Sequence, residues 1–123
     1  MPSFQGINVV SISVRDLDVA RDFYADVLGF GPPVYDLPDA GWIEFQTGAA
    51  GNIALTPAGP DWRPSTGTTI VLNTDNCHAT CAELRALGVP CDDPVIFPGF
   101  VVYCSFYDPS GNRLQMCSPA PAE

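Results

Sequence analysis

Apolar and small polar residues alternate near the start of the chain. Val10, Ile12 and Val14 share one parity, and Val9, Ser11 and Ser13 share the other. A period of two predicts a strand with one fully apolar face. Asp16 follows, near Asp18, and the spacing then becomes helical through Leu17, Ala20, Phe23 or Tyr24, Val27 and Leu28. An Asp ahead of such a run is a helix N-cap, and Gly29 is a stop. A Pro/Gly stretch with Pro32 and Pro33 comes next. Residues 42–46 alternate again, residues 47–51 turn, and residues 52–56 make another short strand.

The segment from Pro57 to Gly67, with Trp62 inside it, is loop by composition and reads as a linker. After it the pattern restarts. Ile70 and Leu72 share one face of a strand over residues 69–74. Asp75 or Asn76 caps a helix running through Cys81, Leu84 and Leu87, and Gly88 stops it. Val95, Ile96 and Phe97 form a short extended piece. Residues 100–107 and 112–117 form a hairpin over Asp108, Pro109, Ser110 and Gly111.

The second half therefore repeats the first at a spacing of about 60 residues. Val10, Ile12 and Val14 match Ile70, Leu72 and Thr74. Tyr24 and Val27 match Leu84 and Leu87, and Gly29 matches Gly88. Each half reads as strand, helix and about three strands, an α+β pattern. One domain follows, with modules at about 7–57 and 68–118, a linker at about 58–67 and a mobile tail at 119–123.

The chain has 123 residues, 46% of them apolar, enough to build a core. No apolar run reaches the roughly 18 residues of a membrane helix, and no secretory signal is visible, so the expected location is cytoplasmic. Five Arg against fourteen Asp and Glu give a net charge of −9. That balance opposes binding to nucleic acid or to an anionic membrane surface. It suits a cationic small molecule, and it also simply keeps a protein in solution. Five scattered Cys do not form a disulfide framework. Cys77 and Cys81 flank the single His78, but they read as small buried residues on a helix face rather than as metal ligands.

Two segments carry a family resemblance. One is Val14-Arg15-Asp16-Leu17-Asp18 with Phe23-Tyr24 and Leu28-Gly29-Phe30. The other is Tyr107-Asp108-Pro109-Ser110-Gly111-Asn112. With them the chain resembles the vicinal oxygen chelate family of glyoxalase I, extradiol dioxygenases and bleomycin-resistance proteins, from Ile7 to Pro119. The resemblance implies paired βαβββ modules forming a cupped mixed-sheet half-barrel, and a homodimer with its pocket near the subunit boundary. It also implies four His, Glu or Gln metal ligands on inward strand faces. Those places hold Val9, Ala54, Thr69 and Gln115 here. Val and Ala have no donor atom, a neutral Thr hydroxyl is a weak ligand, and one amide does not hold a catalytic cation. The expectation is no metal and no cofactor.

Parity also predicts what lines the cup. Val9, Ser11 and Ser13 face inward, as do Trp42, Glu44, Gln46 and Ala54. In the second half Thr69, Val71, Asn73, Tyr103, Ser105, Arg113, Gln115 and Cys117 do so, with Cys104 on the packing face. Glu44 is the one acid: a partner for a ligand cation, a general base, or a solvated strand carboxylate. Trp42 lines the site, or is structural if it lies at the rim. Trp62 caps the pocket, fills a dimer contact, or folds over the core edge. Arg113 neutralises Glu44, binds a ligand carboxylate, or reaches water.

Three functions fit this pattern. The first is binding or sequestering a small organic molecule or antibiotic, cations included, in the cup. Val9, Ser11, Trp42, Glu44, Ala54, Trp62, Thr69, Val71, Tyr103, Ser105 and Gln115 form the predicted ligand-binding set. The second is a lyase, isomerase or dioxygenase-like enzyme, with an atypical metal site or with metal-free acid–base chemistry at Glu44. The third is a regulatory interaction module. Fold alone does not separate them.

Overall fold

The computed structural model describes residues 2–48 and 51–120. Residues 49 and 50, in the predicted turn, and 121–123, in the predicted tail, lie outside the described residues. The chain divides into two compact units, residues 1–62 and 63–123. The division falls inside the segment read as a linker.

The first unit begins with β1 (Val9–Val14), followed by α1 (Leu17–Asp22). The Asp16 carboxylate caps α1 by accepting from the Asp18 and Val19 backbone N–H groups. This satisfies donors that the first helical turn leaves without partners. The single helix predicted through Leu28 is not what forms. From Phe23 to Val27 the backbone widens into a π-helical turn, in which the Leu28 N–H donates to the Phe23 carbonyl at 2.9 Å. The sequence offered Phe23 or Tyr24 as the inward residue, and the structure buries both. Gly29 then takes a left-handed conformation and ends the segment.

Next come β2 (Tyr35–Leu37), β3 (Trp42–Phe45) and β4 (Asn52–Pro57). The sheet order is β1-β4-β3-β2, with β1 parallel to β4 and the other pairs antiparallel. Periodicity missed β2, because three residues between prolines show no alternation and every one of them is exposed. Val10, Ile53 and Phe45 form one register row, and Ile12, Leu55 and Ile43 the next. Tyr24 lies against Phe45, ring centroids 6.2 Å apart, with Phe23 and Phe30 beside it. Burying each such ring contributes about 1.5–3 kcal/mol.

The second unit repeats the topology. It comprises β5 (Ile70–Asn73), α2 (Cys77–Ala86), β6 (Val95–Phe97), β7 (Val101–Tyr107) and β8 (Arg113–Pro119). The sheet order is β5-β8-β7-β6, with β5 parallel to β8. Asn76 caps α2, as Asp16 caps α1. Cys77, Cys81 and Leu84 are buried on α2, while Cys104, Phe106, Leu114 and Met116 are buried on the sheet. The cysteines thus act as small core residues, and all five are free thiols. β8 runs to Pro119, which pairs with Val101, so the predicted tail begins too early. Thr69 likewise lies just outside β5.

Candidate polar faces of the two sheets

In each sheet, the register determines which side chains share the face turned away from the core rows. In the first unit, Ser11 pairs with Ala54, Ala54 with Glu44, and Glu44 with Tyr35. On one side of this row lie Val9 and Asn52. On the other lie Ser13, Thr56, Trp42 and Leu37. Of the predicted inward set, Val9, Ser11, Ser13, Trp42, Glu44 and Ala54 therefore occupy one face, while Gln46 lies exposed just beyond the end of β3.

Glu44 is the centre of that face. It is only 8% exposed, and each carboxylate oxygen accepts a hydrogen bond from a neutral donor. The Trp42 indole N–H donates to Oε1 at 2.9 Å, and the Asn52 amide donates to Oε2 at 2.7 Å. The reading of Glu44 as a solvated strand carboxylate is therefore corrected: a buried carboxylate is costly, and these bonds offset part of that cost. Among the described residues, no Arg or His lies within ion-pair distance of Glu44. Four residues of this face were not anticipated, Asn52 and Thr56 on β4 and Tyr35 and Leu37 on β2. Asn52 shares the parity of Ala54 and was within reach of the pattern. Tyr35 was hidden with β2.

Trp62 lies in the loop after β4, outside the paired strands. Its ring lies under the Arg15 guanidinium at 5.4 Å, beyond the end of β1. The register row of Glu44 does not include it.

In the second unit, Val71 pairs with Gln115 and Gln115 with Ser105. Asn73 and Tyr103 flank Cys117 in the next row. The predicted members of this face are thus together. Gln115 donates from Nε2 to the Ser105 hydroxyl at 3.2 Å, and Arg113 donates to the Thr69 hydroxyl at 2.7 Å. Tyr107 donates to Asp92 at 3.0 Å, and this bond raises the Tyr107 pKa. Cys104 and Cys91 have raised thiol pKa values, about 12 and about 11, through burial first and then the nearby Cys81 thiol. Such thiols stay protonated near neutral pH and are poor nucleophiles.

The places that metal ligands would take do not fit a cation. Val9 and Ala54, on the first sheet, have no side-chain donor atom. On the second sheet, the Thr69 hydroxyl already faces the Arg113 guanidinium, and Gln115 brings one neutral amide. Among the described residues, no group of three His, Cys, Asp or Glu side chains is arranged to hold a metal. No helix among them is long and apolar enough to cross a membrane.

Two units of one βαβββ topology, each with a polar face opposite a helix-covered core, define the vicinal oxygen chelate class of α+β proteins. The chain belongs to the Glyoxalase/Bleomycin resistance protein/Dioxygenase superfamily, whose model matches residues 6–116. Its structure is similar to that of TnmS3, an antibiotic binding protein from Streptomyces sp. CB03234. The TM-score is 0.81 and the identity 28%, covering 98% of this chain and 100% of that one. A glyoxalase/bleomycin resistance protein from the same organism is 30% identical, with a TM-score of 0.73, covering 90% of this chain and 98% of that one. Lactoylglutathione lyase from Agrobacterium tumefaciens, at 20% identity and a TM-score of 0.73, covering 95% of this chain and 96% of that one, shares the fold. No curated protein sequence matches the chain.

Proposed function

We propose that this protein binds a small organic molecule of the antibiotic kind, and that the polar face of the first unit supplies its charged contact. The observation that carries this reading is Glu44, a buried carboxylate held by Trp42 and Asn52 and paired with no protein cation among the described residues. A positively charged or N–H-bearing ligand group would complete its charge and hydrogen bonding. Trp42 and Tyr35 add aromatic area beside it, which suits flat apolar groups and cations alike. Ser11 adds a small, exposed hydroxyl on the same row. Likeness to an antibiotic binding protein over 98% of the chain supports the same class of ligand.

The donor set at Val9, Ala54, Thr69 and Gln115 favours metal-free binding over metal-dependent lyase or dioxygenase chemistry. Our reading also includes a homodimer acting in the cytoplasm, as the family resemblance and the sequence imply.

The test is a thermal-shift and calorimetric screen of cationic glycopeptides, bleomycin first, and of related natural products. It is run on wild type and Glu44→Gln, with product analysis alongside. We expect at least one compound to raise the melting temperature of wild type, to do so less for Glu44→Gln, and to be recovered unchanged. No shift from any compound sinks the binding reading. Turnover that Glu44→Gln abolishes would put acid–base catalysis at Glu44 in its place.

A further inference from the structure

The two sheets offer an internal comparison. Equivalent register positions put Ser105 in the place of Glu44, because Glu44 pairs with Ala54 and Ser105 with Gln115. By the same register, Arg113 takes the place of Asn52 and Tyr103 that of Trp42. The second sheet makes the same strand order without a carboxylate at this position. The backbone therefore does not need Glu44, and the set of three side chains is specific to the first unit.

Their geometry is that of a fixed acceptor. A carboxylate has two oxygens with about two acceptor directions each. Trp42 uses one on Oε1 and Asn52 uses one on Oε2. The carboxylate is thereby held at both ends, and each oxygen keeps an acceptor direction for a further donor. Trp42 is two residues away on the same strand, so strand parity puts the two side chains on the same face. Asn52 lies on the neighbouring strand, and its 2.7 Å bond ties the orientation of Glu44 to β4. A side chain already held in place loses less freedom when a ligand arrives.

We propose that Asn52, together with Trp42, is a positioning residue that holds the Glu44 carboxylate as a fixed acceptor for an organic cation bearing an N–H group. The proposal rests on the ligand-binding reading above and adds to it the residue that sets the site's geometry and the chemical class it selects.

The chain reports on this arrangement through its own indoles. In nitrogen-15 proton spectra of the full chain, the Trp42 indole N–H peak is sensitive to its bond with Glu44. The Trp62 peak serves as a control for the fold. Asn52→Ala and Asn52→Asp are expected to shift the Trp42 peak and speed its exchange with water, leaving the Trp62 peak in place. A Trp42 peak that moves in Glu44→Gln but not in either Asn52 variant overturns the positioning role.

Two probes test the class of ligand: bleomycin, and an analogue whose cationic tail amine is replaced by a neutral group. Wild type is expected to prefer bleomycin about tenfold or more, and Asn52→Ala to lose most of that preference. Equal binding of both probes to wild type overturns the selection for a cation while leaving the binding reading standing. Binding of neither probe overturns the selection together with the binding of such compounds, and the indole spectra separately decide whether Asn52 positions Glu44.

Discussion

Asp108 is a polar residue whose loss should cost the second sheet heavily. It opens the turn between β7 and β8 and is only 5% exposed. Its Oδ1 accepts from the Ser110 and Asn112 backbone N–H groups at 3.0 and 2.8 Å, and its Oδ2 accepts from the Asn112 side chain at 2.9 Å. Asp108→Ala removes all three bonds. A hydrogen bond to a charged group contributes about 1.5–3 kcal/mol, and bonds sharing one acceptor do not add fully, so a net loss of about 3–5 kcal/mol follows. Unfolding entropy near 2.1 cal/mol/K per residue makes 1 kcal/mol worth about 4 °C for a chain of this length. The expected fall in melting temperature is therefore about 12–20 °C by calorimetry or circular dichroism. Asp108→Asn keeps an Oδ1 acceptor and should lose less than half as much. A fall below about 4 °C for Asp108→Ala, or equal losses for the two variants, would refute the account. The consequence reaches the polar face, because this turn sets the register that puts Ser105 opposite Gln115.

Three further outcomes can be checked directly. Gly41 sits at φ 70°, and an added Cβ would meet the Pro57 ring at 3.1 Å; Gly41→Ala should therefore destabilise by about 1–3 kcal/mol in a denaturant titration. Cys104 has its pKa raised to about 12, so the stability gained from keeping it neutral is complete below the ordinary thiol range and is lost as pH rises toward 12. The denaturant midpoint should fall between pH 8 and about 10.5, with a shallower fall in Cys104→Ala; equal slopes would count against the assignment. Cys91 is half-buried, and with a pKa near 11 only about one molecule in a thousand carries its thiolate at pH 8. Mass spectrometry of native protein labelled with a thiol reagent at that pH should find Cys91 largely unmodified at early times.

Much of this architecture was legible because period-two and helical patterns are strong in both halves. The alternation at Val9–Val14 and the cap at Asp16 became the elements they announced, and of the two candidates Asp75 and Asn76 it is Asn76 that caps α2. The hairpin over Asp108 formed between the predicted strands, with Ser105 opposite Gln115. β2 was illegible because an exposed three-residue edge strand buries nothing and needs no pattern. The π-helical turn was illegible for another reason. Phe23 and Tyr24 are adjacent, and the apolar stripe of a regular helix is wide enough for both, so their spacing carries no sign that the backbone widens. At the site, parity found Glu44 and Trp42 on one face but not the bond between them. Asn52 shares the parity of Ala54, but parity marks only a face and does not say that an amide on it meets Glu44. Trp62 was ambiguous because a loop aromatic has no parity; its ring lies by the Arg15 guanidinium.

Membership of a family whose members include metal enzymes raises the question of where charge chemistry happens in this chain. The register gives a physical answer for the first unit. Val9 and Ala54 sit two register steps apart on the polar face, as do Thr69 and Gln115 in the second unit, so the repeat aligns the two pairs of ligand places consistently. Sliding the alignment along the same face by one step toward the C-terminus supplies no carboxylate or imidazole either. It substitutes Ser11 and Thr56 in the first unit and Val71 and Cys117 in the second. The carboxylate on the first face lies instead on β3, at Glu44, opposite Ala54. In the proposed reading, a ligand that depends on negative charge from this face is recognised at Glu44. The Asn52 and Trp42 bonds that fix its oxygens are then as much a part of recognition as the carboxylate itself.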